Sequence, residues 1–173
     1  MRKKDELAID KILECAEKEF AEKGFEGASM RAIAENAGYT TGMLYGRFAD
    51  KGELFREIVK VPADRLYDYY KGVQEEFAGL EPEKQYADMH VYVDVKVDKM
   101  LNIIYDNFDE FKLIVCKSKG SEYERFIDKL IDIETYNTAR FIEDLSAAGL
   151  KVRCVRMDLA HMFATAMFNG MFE

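Results

Sequence analysis

The chain has 173 residues, is 49% hydrophobic and 34% charged, and carries a formal net charge of −8. This composition is that of a globular rather than a disordered chain, and no run reaches the roughly 18 apolar residues that would span a membrane. Residues 1–60 hold 11 Lys+Arg against 12 Asp+Glu and the remainder 14 against 21, which excludes a nonspecific nucleic-acid coat, so any DNA contact must come from a local basic face.

The start, MRKKDELAIDK, lacks the apolar stretch and cleavage site of a secretory signal. Arg2, Lys3 and Lys4 read as a solvated end or a flexible arm that touches DNA. Cys15, Cys116 and Cys154 are odd in number and far apart, and read as buried thiols in a reducing cytoplasm. With no C-x-x-C, His90 and His161 read as packing or pocket residues rather than metal ligands. Only two prolines interrupt the chain, which favours an all-α protein.

A first helix is predicted over about residues 5–23, where Ile9, Ile12, Leu13, Ala16 and Phe20 form one stripe. Gly24 suits a left-handed cap after it. Ser29 is the expected N-cap of a short helix over 30–36, which Gly38 closes. Tyr39 is expected to bury in the turn. Thr40 caps a third helix ending near Arg47, with Leu44 and Phe48 on its inner side. Asp50 and Glu53 resemble a capping box that opens a fourth helix.

Pro62 is the expected bend, after which Leu66, Tyr69, Tyr70, Val73 and Phe77 continue. Pro82 suits the first turn of the next helix. Valines alternate at 91, 93, 95 and 97, a strand pattern taken alone. A lone strand has no partner in a helical chain, so a helix buried on more than one side is expected there. A shorter helix follows over 111–116. Ser121 is expected to open a long helix that Gly149 closes, and a last one starts near Met157.

A short helix, a turn at Gly38 and a second short helix describe a helix-turn-helix, whose second helix enters the major groove. Ile33, Ala34, Tyr39, Leu44 and Phe48 lock it. Thr40, Thr41, Gly42, Met43, Tyr45 and Arg47 remain off the core. The stretch AGYTTGMLYGRFADKGELF resembles the recognition segment of the tetracycline-repressor (TetR/AcrR) family of bacterial regulators. Ala37, Gly38, Thr40, Gly42, Leu44, Tyr45, Phe48, Lys51 and Leu54 fill the family's positions. GFEGASMRAIAENAG is similar to the family's first half, and the match covers roughly residues 8–58. Gly46, Arg47 and Gly52 depart from the family's usual residues.

The resemblance implies an N-terminal three-helix DNA-binding domain over residues 1–50. A helical effector-binding and dimerisation domain over 51–173 follows it. It implies that a homodimer binds double-stranded operator DNA as an inverted repeat. Ser29, Thr40, Tyr45 and Lys51 fall at phosphate contacts, and Thr41, Gly42 and Met43 where bases are approached. Arg31 and Arg47 complete the DNA-facing set. The last two long helices would pair with their mates through Phe141, Leu145, Phe163, Met167 and Met171. The last helix stops short at Phe172-Glu173, so the natural chain is expected to continue.

A lipophilic or aromatic small molecule is the expected effector. Tyr70, Tyr92, Tyr105 and Tyr123 are its candidate contacts, since pockets are apolar with a few polar groups. Its binding would shift the fourth helix and release DNA. No cofactor, metal or membrane partner is implied, and no catalytic residue. An activator or dual regulator is the alternative reading, and a module that lost DNA affinity through Gly46 and Gly52 is another. A helical small-molecule enzyme is the distant one, since no H-E-x-x-H, P-loop or Ser/His/Asp grouping supports it.

Overall fold

A computed structural model describes residues 2–152 and 155–172, with side chains from Leu7 onward. The side chains of Arg2, Lys3 and Lys4, and Cys154, lie outside the described residues. Every regular element described is a helix. In order these are α1 (Arg2–Gly27), α2 (Met30–Ala37), α3 (Thr41–Tyr45), α4 (Lys51–Ala78), α5 (Pro82–Asp106), α6 (Phe108–Lys117), α7 (Phe126–Ala147) and α8 (Met157–Met171).

Packing divides the chain elsewhere than at residue 50. One compact unit comprises Met1–Ala63 with Phe108–Glu124, and the other Asp64–Asn107 with Arg125–Glu173. The first unit takes in the later segment because α6 packs on α1. Its core joins Ile12, Ala16 and Phe20 of α1 to Ile33, Ala34, Leu44, Phe48, Leu54 and Phe55, all buried. Phe55 meets Phe20 edge-on at 5.0 Å and Phe25 at 5.4 Å.

In the second unit α7 packs on both α5 and α8. Tyr70 sits edge-on to Phe168 at 5.5 Å, and Phe77 stacks on Tyr92 at 4.1 Å. Leu66, Met100, Ile103, Ile104, Leu130 and Leu145 fill the rest.

Several expectations change in detail. Gly24 takes positive φ, but at φ 70° and ψ 170° it kinks α1 instead of capping it, and helix resumes to Gly27. α4 is one helix that runs through Pro62, the expected bend point. The stripe Leu54, Phe55, Ile58, Val59, Ala63, Leu66 and Tyr70 is buried on both sides of the proline. That burial outweighs one missing backbone bond. Residues 90–97 are helical within α5, yet Val91, Val93 and Val95 are exposed. The face of α5 that packs carries Gln85, Lys96, Met100 and Ile103 at helical spacing. Ser121 caps only a turn, through Tyr123 N–H, and α7 starts at Phe126. Cys116 is exposed and Cys15 half-buried, so neither is a core thiol. His90 and His161 are exposed.

Gly38 is a position where only glycine is comfortable. It lies at φ 79°, ψ 27° and closes α2, with its N–H on Glu35 O and Tyr39 N–H on Ala34 O. An added Cβ would meet Lys11 Nζ at an unstrained 3.7 Å, so the cost of a side chain is conformational. Gly38→Ala should destabilise the chain by about 1–2 kcal/mol, read by urea denaturation.

Candidate nucleic-acid interface

The N–H of Ser29 is held by Glu19 Oε1 at 3.2 Å. Ser29 Oγ in turn accepts Ala32 N–H at 3.4 Å and caps α2. Glu19 is only 4% exposed and also pairs with Lys23 at 2.8 Å. This carboxylate therefore sets the corner from which α2 starts. Sequence reasoning passed over it, although it falls on the Ile12–Ala16 stripe at a position that ought to be apolar.

The turn then hands over to α3. Thr40 Oγ1 accepts Met43 N–H at 3.2 Å, and its carbonyl accepts from Met43 and Leu44. Leu44 and Phe48 are buried and Tyr39 is half-buried. The opposite side of α3 faces out. Tyr45 is 52% exposed and Met43 44%, Thr40, Gly42 and Arg47 are exposed, and Thr41 is half-exposed. A Cβ on Gly42 would find nothing nearer than Thr40 Oγ1 at 4.0 Å. Space above that glycine is open to an approaching surface.

Two departures from the family pattern have local causes. Gly46 is the C-cap of α3 and not an interior residue, so it does not weaken a helix interior. Its added Cβ would lie 3.3 Å from Gly42 O. Gly52 leaves room for the Asp50 cap, since a Cβ there would lie 3.1 Å from Asp50 Oδ1. That oxygen accepts Glu53 N–H at 2.8 Å while Glu53 reaches back to Ala49 N–H at 2.6 Å.

Lys51 is placed differently from a free surface cation. Its Nζ donates to Glu26 O at 3.0 Å and Ala28 O at 3.1 Å, and lies 4.8 Å from the Phe25 ring centroid. It ties the first turn of α4 to the exit of α1. Arg31 is exposed and paired with Glu35 at 2.8 Å. Ser29 is exposed beside it.

The expected effector contacts do not converge. A cleft within the second unit is lined by Gln74, Phe77, Gln85, Tyr92, Lys96 and Glu134, among others. Tyr92 is the one expected tyrosine that lines it. Tyr70 is fully buried and reaches the network by donating to Glu134, which also accepts Gln74 Nε2 and Lys96 Nζ. Burial first, then Glu134, holds both phenols well above the usual tyrosine range, so both remain donors. Tyr105 is exposed, on the outer side of α5. Tyr123 lies in the first unit, 6.1 Å from Phe55. These two are not cleft residues.

Of the expected interface residues, Leu145 and Met171 are buried within the chain itself, and Phe141 packs 5.5 Å from Phe77. Met167 is half-buried. Phe163 is 61% exposed, and Leu159 and Met162 beside it are exposed too. The outward face of α8 thus keeps the expected Phe163 and adds Leu159 and Met162.

Residues 12–58 match the family model of bacterial regulatory proteins, tetR family. HTH-type transcriptional regulator YfiR of Bacillus subtilis is 25% identical over 134 residues, 76% of this chain and 62% of that protein. An HTH-type transcriptional regulator of Staphylococcus aureus strain USA300 is 29% identical over 126 residues, 73% of this chain and 62% of its own length. The matches therefore span 62% of the length of these relatives. Among solved structures, a TetR transcriptional regulator from Streptomyces coelicolor A3 superposes with TM-score 0.61 at 23% identity, covering 93% of this chain and 76% of its own. NalD of Pseudomonas aeruginosa, secondary repressor of the MexAB-OprM multidrug efflux pump, does so with TM-score 0.59 at 18% identity, covering 98% and 84%. At these identities the two structures establish a shared fold.

Glu19→Leu should cost about 1–3 kcal/mol by orphaning Ser29 N–H beneath α2. Lys23→Ala should cost far less, because the Lys23 side chain is 44% exposed and water replaces its pairing. Paired thermal melts of the two variants check this order.

Proposed function

We propose that this chain, whose residues 12–58 match the family model of bacterial regulatory proteins, tetR family, is a DNA-binding transcriptional repressor of that family, dimeric and released by a small molecule. The observation that carries this reading is the outward side of α3. Met43 and Tyr45 stand exposed, and Thr41 half-exposed, on a helix whose other side is locked into the first unit. In a helix-turn-helix that side enters the major groove, with its N-terminal residues toward base edges.

Roles follow from position and chemistry. Thr41, Gly42 and Met43 approach bases, Gly42 by offering bare backbone. Tyr45, Thr40 and Ser29 offer hydroxyls to phosphates, and Arg47 and Arg31 offer charge. Lys51 has two donors committed to Glu26 and Ala28, so it contributes mainly by fixing the head and with its remaining donor to a phosphate. Repression is favoured because a head that occupies an operator blocks it by occupancy alone.

Dimerisation is assigned to the outward face of α8, Leu159, Met162 and Phe163, with Met167 at its edge. An apolar face of this kind gains from burial against its own mate. Release is assigned to α4. Its first turn is capped beside α3, while Gln74, Phe77 and Ala78 near its end line the second-unit cleft. A ligand that favours the non-binding state lowers DNA affinity by its differential binding, typically about 1–3 kcal/mol.

Random-sequence selection followed by gel-shift titration tests the reading, and failure to enrich any duplex would reject it. Tyr45→Phe should weaken every selected site alike, by about 1 kcal/mol, whereas Thr41 and Met43 variants should change which sites are preferred. The salt dependence should steepen by about 0.9 per phosphate contact. Phe163→Arg should yield a folded monomer in sedimentation equilibrium, with operator affinity lost in parallel.

A further inference from the structure

The second-unit cleft has a chemistry of its own. Gln85, 2% exposed, lines it. Its Nε2 donates to Phe77 O at 2.9 Å and Leu80 O at 3.0 Å, capping the end of α4. Rotating the amide would set its oxygen against those two carbonyls, so the orientation is fixed. Gln85 Oε1 is then the one buried side-chain polar atom without a hydrogen-bond partner among the described residues. Buried acceptors rarely stay unpaired without a reason.

The charges around it are already balanced. Lys96, 3% exposed, pairs with Glu134 at 3.2 Å, and Arg140 pairs with Asp144 at 3.7 Å. Lys96 also lies 5.4 Å and 5.6 Å from the Tyr70 and Tyr92 ring centroids. Arg140 and Asp144 are about half exposed, but a charged ligand beside the buried Lys96–Glu134 pair would have to break it or leave its own charge uncompensated, and both are unfavourable away from water. Part of the wall is aromatic and apolar, beside the polar Gln74, Asn137 and Thr138. Phe77 stacks on Tyr92, Phe141 tilts against Phe77, and Met89 and Val93 remain exposed at the rim.

Building on the effector reading above, we infer that this cleft takes an uncharged aromatic molecule carrying one N–H or O–H donor. The ring lies against the Tyr92, Phe141, Met89 and Val93 walls, and the donor completes Gln85 Oε1. Neutrality is selected by the buried Lys96–Glu134 pair, and the donor by the one unpaired acceptor.

Indole and N-methylindole are suitable probes, because the chain contains no tryptophan and indole emission can be followed directly. Titration of the full chain, by that emission and by calorimetry, should show indole bound about tenfold or more tightly than N-methylindole. Tryptamine and indole-3-acetate, its charged relatives, should bind more weakly than indole. Gln85→Met should erase the preference for the N–H compound. Since that variant also loses the α4 cap, Val93→Phe provides an independent check. It fills the cleft from the rim and should weaken both neutral probes. Equal affinity for indole and N-methylindole, no indole binding, or indole binding unchanged in Val93→Phe would overturn the inference. A gel shift with bound indole is a separate arm. Unchanged DNA affinity there would reject the coupling to release while the ligand chemistry of the cleft stands.

Discussion

Five residues do not make a stable helix in water, because the first turn fixes several residues for a single hydrogen bond. Yet α3 is five residues long and carries the surface on which the proposed function depends. It exists because its surroundings supply what its length cannot. Thr40 caps its start, the left-handed Gly38 aims it, and Leu44 and Phe48 anchor it in the core of the first unit. Glu19 sits one layer deeper and holds the start of α2 through Ser29. Each of these contacts leaves the outward side of α3 untouched, which is why that side can be varied in chemistry without losing its shape.

The second unit uses polar groups where a simpler bundle would use apolar ones. Glu134 gathers donors from Tyr70, Gln74 and Lys96. Buried ions cost much desolvation energy, and a network earns its place only when its members are satisfied. Among the described residues, Gln85 Oε1 is the one buried side-chain acceptor left unpaired, while Nε2 of the same amide caps the end of α4.

One helix belongs to both units. The beginning of α4 is held by Asp50, Glu53 and Lys51, and its end is held by Gln85. Its continuity through Pro62 depends on the buried stripe to either side, not on local propensity.

Residue pattern alone specified the helical class, the caps at Ser29, Thr40 and Asp50, the turn at Gly38 and the family segment around α3. These are local: each depends on side chains within a few residues of one another, so spacing carries them. Tertiary structure decided the rest. The valines at 91, 93 and 95 look like a strand or a buried helix, but the packed face of α5 runs through Gln85 and Lys96 instead. Lys51 looks like a free cation until the carbonyls of Glu26 and Ala28 arrive from 23–25 residues away. Tyr105 and Tyr123 look like pocket residues, and Leu145 and Met171 like interface residues, because an apolar side chain does not announce which neighbour will cover it. Burial is a property of the assembled chain, and partners distant in sequence settle it.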